Sequence, residues 1–256
     1  MEGIAPPFRA VGLQEWCDLT FLHWRYPPAA VRPLLPPGLR LETAEGSAWV
    51  GVTPFLMRGV RAPGLPALPH LSTFPEVNCR TYVRHTDGTS GIWFFSLDTP
   101  RLWFIAALRT IGLPYLWARA QVDRTRPDRM TYRSRRVGPR APAELHAVVE
   151  VGDLIDAPAP LTRFLTARWW AFTRRGGVLW RVPVSHPDWP LRAARAVVAD
   201  AGGLSGRPGC PSRGTRRSST SPPGCAPAWG CPDGAETTTA GTIRYRHPDT
   251  PVDEGR

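Results

Sequence analysis

Glu76, Asn78, Arg80 and Tyr82 occupy alternate positions of one short segment, Glu76-Val-Asn-Cys-Arg-Thr-Tyr-Val. In a β-strand successive side chains point to opposite faces, so these four form one polar row about 20 Å long. Val77, Cys79, Thr81 and Val83 form the opposite, core-like row. The polar row offers an acid, an amide, a fixed cation and a phenol. Turned into a barrel, it makes a pocket in which Arg80 clamps a carboxylate through two parallel hydrogen bonds. Glu76, held there in a low dielectric, has the surroundings of a general acid or base. Turned outward, the same row is ordinary polar surface. The next segment favours burial, because Trp93, Phe95 and Leu97 alternate with Phe94, Ser96 and Asp98 and leave both faces bulky. In that setting Glu76 and Arg80 are expected to partner each other.

Other groups with chemical potential are sparser. His23, between Leu22 and Trp24, reads as a core histidine fixed by a hydrogen bond. His186, in Val-Ser-His-Pro-Asp-Trp-Pro, either lines a barrel mouth or fixes its loop. His70 and His85 fall at a loop and a strand end. No two histidines have metal-site spacing and HExxH is absent, so neither a metal nor another cofactor is expected. The GxGxxG, GxxxxGK[ST] and GxSxG signatures are missing as well. The chain contains no lysine at all: its 32 basic residues are arginines. Arginine stays protonated, which excludes a Schiff base, a phosphate-loop lysine and a lysine general base.

The 256 residues suit one large or two small domains, and a 42% apolar content with 11 tryptophans supplies a core. Five cysteines without a CxxC pair argue against a disulfide framework and a cysteine zinc site. The start of the chain carries no basic n-region followed by an apolar stretch. No run reaches the roughly 18 apolar residues of a membrane span. A soluble cytoplasmic protein is the reading. The net charge of +11 raises nucleic acid as a partner, with arginines clustered at 124, 126, 129, 133, 135, 136 and 140 around Tyr132. No RNP, helix-turn-helix or zinc-finger pattern accompanies them. The excess is also spread out, +9 over residues 1–201 and +2 beyond. It therefore says little about partners.

The elements that must position the polar row follow from pattern and punctuation. Strands are predicted over 16–25, 39–43, 48–58, 76–85, 92–98, 115–125, 130–137, 144–151, 178–183 and 190–198. The 39–43 and 48–58 strands are read as one hairpin, the 76–85 and 92–98 strands as another. Helices are predicted over 28–35, 101–111 and 161–173. The last carries Leu161, Phe164, Leu165, Trp169 and Phe172 on one face. Without βαβ alternation this is an α+β chain: a mostly antiparallel, strongly curved or closed barrel-like sheet with two or three flanking helices. The regular pattern covers residues 1–201. In 202–256, 30 of 55 residues are Gly, Pro, Ser or Thr, and disorder is the expectation. The same stretch has the composition of a GC-rich gene translated out of frame. The sequence therefore predicts a native ending lost near residues 200–206, leaving an exposed sheet edge.

The stretches FLHWRYP, LLPPGLRLET, GSAWVGVTPFLMRGVR, FPEVNCRTYV, GIWFFSLD, GLPYLWARA, LTRFLTARWWAFT and VSHPDWPLR make the chain recognisable. It resembles the YqjF-like family of bacterial proteins of unknown function, related to the acetoacetate decarboxylase superfamily, over roughly residues 13–200. The resemblance implies an α+β fold around a barrel-like sheet with a pocket inside, and a further strand after Val198. Decarboxylases of that superfamily carry Gly-x-Pro-Lys-Lys, one lysine forming the imine and its neighbour lowering its pKa. The similar position here is Gly112-Leu113-Pro114-Tyr115-Leu116, so the imine chemistry is lost. The resemblance also makes Glu76 and Arg80 analogues of the acid and arginine of that pocket, with Arg109 preceding the altered run.

Together these readings predict a pocket for a small anionic or carbonyl-bearing metabolite. Arg80 is its clamp, Glu76 its acid or base and Tyr115 a hydrogen-bond donor. Asn78, Tyr82, Asp98 and Arg109 complete its lining. The rival is an arginine-rich nucleic-acid-binding or non-catalytic scaffold protein working through residues 124–140.

Overall fold

The computed structural model describes residues 12–138, 143–184, 186 and 188–202, and the backbone of Thr238–Ile243. The expectations of disorder and of an out-of-frame ending fall on residues 202–256. Apart from Gly202 and that six-residue strand, they lie outside the described residues.

The chain opens with β1 (Leu13–Cys17) and β2 (Leu19–Tyr26). Asp18, at φ +50°, splits what the sequence predicts as one strand. A short helix, α1 (Pro28–Val31), starts on a proline whose fixed φ suits the first helical position, and runs into a 3-10 turn. β3 (Leu39–Leu41), β4 (Ala48–Arg61), β5 (Phe74–His85) and β6 (Ser90–Thr99) follow. β3 does not form a hairpin with β4 as expected. It pairs with β5, Leu39 opposite His85, and only an Ala44–Ser47 bridge closes the turn between β3 and β4.

Next come α2 (Leu102–Arg109), β7 (Tyr115–Arg126), β8 (Arg129–Arg136), β9 (Glu144–Leu154) and α3 (Pro160–Thr166). β10 (Trp170–Arg175), β11 (Val178–Pro183), β12 (Arg192–Asp200) and β13 (Thr238–Ile243) complete the set. The helix predicted over 161–173 stops at Thr166. Its second half is β10, which forms a hairpin with β11 across Gly176-Gly177 and pairs in parallel with β6.

The pairings form a circuit. β6, β7, β8, β9, β12, β13, β2, β4 and β5 follow one another, and β5 pairs back to β6. All steps are antiparallel except β6–β7. This mixed, mostly antiparallel, strongly curved sheet with three helices agrees with the expected class.

One face of the circuit is a mainly apolar interior. Leu22 and Trp24 from β2, Val50 and Val52 from β4, and Val77 and Cys79 from β5 meet Met130, Tyr132, Leu145 and Val149 from β8 and β9. The opposite face of β2, β4 and β5 is covered by a second layer. There Phe21, Phe55 and Phe74 pack with Phe104 and Ile105 of α2, Tyr115 and Leu191. Trp49 and Tyr82 pack with Leu165 of α3.

Candidate functional site

The polar row of β5 is buried as a whole: Glu76 is 3% exposed, Asn78 6%, Arg80 7% and Tyr82 0%. Its position corrects the expectation. Val77 and Cys79 look into the barrel, so alternation turns Glu76, Asn78, Arg80 and Tyr82 outward, beneath α2, α3 and the segment around Trp189. The row is buried because a second layer covers the wall.

Register sets the rest of the site. Thr53 lies opposite Asn78, Asn78 opposite Leu97, and Leu97 opposite Tyr115. One row along, His23 pairs with Gly51, and Gly51 with Arg80. Gly51 leaves room there, since a Cβ would come within 2.9 Å of His23 Nε2 and displace the ring.

Glu76 and Arg80 are not each other's partners. Four residues of extended chain separate them by about 13 Å, and each bonds elsewhere. Tyr115 donates its phenol hydrogen to Glu76 Oε2 at 2.9 Å. Tyr82 donates to the Leu165 carbonyl at 2.6 Å, and its oxygen lies 2.6 Å from His23 Nε2. Arg80 reaches the same carbonyl only at 3.5 Å, and its guanidinium stands 5.1 Å from the Phe21 ring centre. No carboxylate lies within ion-pair distance of it among the described residues. Arg80 Nε, Asn78 Oδ1, Thr53 Oγ1 and His23 Nδ1 are all buried without a hydrogen-bond partner. Four such atoms on one face of three adjacent strands are unusual, because buried polar groups are normally satisfied.

Burial dominates the electrostatics. It pushes the Glu76 carboxyl up to about 8; the Tyr115 bond opposes the shift and the charge of Asp98 adds to it. Tyr115 is held well above its usual 10, first by burial and then by Glu76, and burial raises Tyr82 as well. Both phenols keep their hydrogens at neutral pH. His23 is held well below its usual 6.5 by burial and by the charge of Arg80, so its ring is neutral.

Two predicted lining residues stand elsewhere. Asp98 faces Val77 across the β5–β6 pair, and so belongs to the barrel side of the wall. There Arg136 Nε binds its Oδ2 at 2.8 Å, with Ser96 beside it. Arg109 is exposed on α2, and its Nε holds the backbone carbonyl of Tyr115 at 2.8 Å. It therefore positions Tyr115 from outside. His186 is clamped between Trp169 and Trp189, its Nε2 2.9 Å from the Arg168 carbonyl, as a loop-fixing histidine would be. Reasoning from sequence missed Thr53 as a site residue and assigned His23 to structure alone. The alternation of Phe21-Leu-His23 against Val50-Gly-Val52 carried the signal, but only register reveals it.

The arginine stretch is largely neutralised. Arg124 pairs with Asp18, Arg126 with Asp128, Arg133 with Asp123, Arg135 with Glu144 and Arg136 with Asp98. Among the described residues no group of three His, Cys, Asp or Glu side chains is placed to hold a metal ion. No described helix is long and apolar enough to cross a membrane. A groove of about 480 Å³ opens between Leu35, Pro36, Trp93, Phe95 and Phe172, and none of the site residues lines it.

Solved structures share this architecture at low identity. An acetoacetate decarboxylase-like enzyme from Sphingomonas wittichii RW1 superposes with a TM-score of 0.58 at 16% identity, over 92% of this chain and 89% of that one. The acetoacetate decarboxylase of Legionella pneumophila gives 0.55 at 12%, over 94% and 88%. The enduracididine biosynthesis enzyme MppR complexed with pyruvate gives 0.55 at 13%, over 94% and 89%. By sequence, the uncharacterized protein YqjF of Bacillus subtilis (strain 168) is 34% identical over 203 residues, covering 75% of this chain and 81% of the relative. The DUF2071 family, described as an uncharacterized conserved protein, matches residues 13–223, and the chain belongs to that family.

Proposed function

We propose that the covered face of β2, β4 and β5 binds a small carboxylate or carbonyl-bearing metabolite, with the anionic group seated on Arg80. One observation carries this reading: Arg80 is 7% exposed, has no carboxylate within reach among the described residues, and keeps its Nε unpaired. A buried cation without a counter-charge is costly, and a ligand anion relieves that cost. The protonated Glu76 adds a donor at neutral pH, Tyr115 orients it, and Asn78 and Tyr82 form the adjoining wall. Asp98 and Arg109 act only through the wall and through Tyr115. A neighbour of the same fold, at 13% identity, is complexed with pyruvate, a small carboxylate. Any chemistry that follows binding proceeds without an imine at a lysine, since the chain has none.

The test is titration calorimetry with pyruvate, acetoacetate and lactate at constant ionic strength, on the wild type and on Arg80→Met. Binding to the wild type that disappears in the variant is expected. Binding that survives Arg80→Met, or failure of all of these acids to bind a folded wild type, overturns the reading.

A further inference from the structure

His23 carries an inference about which carboxylate. Two oxygens 2.6 Å apart, Tyr82 Oη and the Leu165 carbonyl, require a hydrogen between them, and a carbonyl can only accept. The phenol hydrogen is therefore spent on Leu165. Tyr82 Oη must accept from His23 Nε2, 2.6 Å away, which fixes the imidazole as the Nε2–H tautomer. Its other nitrogen, Nδ1, is then a bare acceptor. The residue is 0% exposed and Nδ1 has no partner. The imidazole stacks on Phe21 at 6.2 Å between ring centres and 18° between planes. The Arg80 guanidinium lies over that same Phe21 ring. A buried acceptor and a buried cation thus share one aromatic ring as a wall. Burial, helped by the charge of Arg80, keeps the imidazole neutral, so Nδ1 remains an acceptor.

We propose that the ligand seated on Arg80 is a small hydroxy carboxylate, whose hydroxyl donates to His23 Nδ1 while its carboxylate pairs with the guanidinium. The proposal rests on the carboxylate reading above and narrows it. A keto acid or a simple alkanoate has no hydrogen to give and leaves Nδ1 unpaired. Sites built around a buried polar group reject ligands that leave that group unpaired more strongly than they reject changes of apolar size.

The experiment compares lactate with propionate, which differ by one hydroxyl. Affinities are measured by calorimetry on the wild type, Arg80→Met and His23→Phe, with the histidine ¹⁵N resonances of the wild type followed in parallel. Lactate is expected to bind the wild type about tenfold or more tightly than propionate. The preference is expected to collapse towards unity in His23→Phe, and the Nδ1 resonance to move with lactate but not with propionate. Equal affinity for both acids overturns the hydroxy-acid proposal and leaves the carboxylate reading standing. A preference for lactate that persists in His23→Phe, or an unmoved Nδ1 resonance in the lactate complex, also overturns it. Failure of both acids and of the keto acids to bind the wild type overturns both readings. If His23→Phe does not fold, the wild-type affinities and the Nδ1 resonance decide.

Discussion

Tyr115 and Glu76 meet through a 2.9 Å hydrogen bond although they belong to strands that do not pair. β6 lies between them, and its parallel pairing with β7 sets Tyr115 opposite Leu97, next to the residue facing Val77. The bond fastens the start of β7 to the buried acid, and Arg109 holds the same residue through its backbone carbonyl.

The titration of Glu76 makes stability depend on pH in a stated direction. Its ordinary value of 4.5 is raised to about 8 in the folded chain. Between those values the folded state keeps a proton that the unfolded state has released. This contribution therefore favours folding most below pH 4.5 and is lost progressively as pH rises towards 8. The slope is on the order of 1 kcal/mol per pH unit. Glu76→Gln, which cannot ionise, is expected to gain stability relative to the wild type from pH 5 to pH 8. Urea denaturation of both proteins across that range checks it. A difference that stays flat with pH removes the basis for a protonated Glu76.

Arg80 is expected to trade stability for binding. Its guanidinium is buried against the Tyr82 hydroxyl, the Leu165 carbonyl at 3.5 Å and the Phe21 ring, with no counter-ion among the described residues. Replacing an uncompensated buried charge by an apolar side chain of similar length is favourable, so Arg80→Met is expected to stabilise the ligand-free protein by about 1–3 kcal/mol. Chemical denaturation without added carboxylate measures this. Destabilisation of that size would mean that Arg80 is a structural residue already satisfied by its surroundings.

Gly51→Ala tests the register that brings His23 and Arg80 to one place. The added Cβ would lie 2.9 Å from His23 Nε2, so the imidazole must move and its bond to Tyr82 must lengthen. The expected outcome is a loss of about 1–3 kcal/mol in denaturant, from crowding and a broken buried bond. The hydrogen-bonded Tyr82 signal in the proton NMR spectrum should also disappear. Unchanged stability together with an unchanged Tyr82 signal would contradict the packing at this strand crossing.

Much of this arrangement was legible in the sequence, and its limits are instructive. Alternation in Glu76–Val83 and the bulk on both faces of Trp93–Asp98 announced a strand buried on both sides. They did not tell which face turns inward, because that depends on β5 closing a circuit with strands far along the chain. The 161–173 stretch satisfies two periods at once. Phe164 and Leu165 fit a helix, while Ala171 and Thr173 against Phe172 fit a strand. The Gly176-Gly177 pair, at φ +56° and +83°, decides it by forming a two-residue hairpin loop that claims Trp170–Arg175. Pairing Glu76 with Arg80 from charge alone failed for a metric reason, since four residues apart is contact distance on a helix and about 13 Å on a strand. The Asp98–Arg136 pair joins residues 38 apart through β6 and β8, and no local pattern announces it.

That pair supplies the last prediction. The Asp98 and Arg136 side chains are 0% and 4% exposed, with 2.8 Å between Arg136 Nε and Asp98 Oδ2. Burial already raises the Asp98 carboxyl, and Arg136, with a smaller part from the Ser96 hydroxyl, opposes the rise. Arg136→Met leaves the buried acid with the Ser96 hydroxyl but without its counter-charge, and is expected to cost about 3–5 kcal/mol near neutral pH. Because Asp98 can escape the penalty by taking up a proton, the loss should shrink as pH falls. Adding Asp98→Asn to Arg136→Met removes the stranded charge and is expected to recover a large part of the loss. A double-mutant cycle in urea at pH 5 and pH 8 reads both effects. Additive single effects at both pH values would show that the two side chains are not coupled, and that Asp98 is stabilised by something other than Arg136.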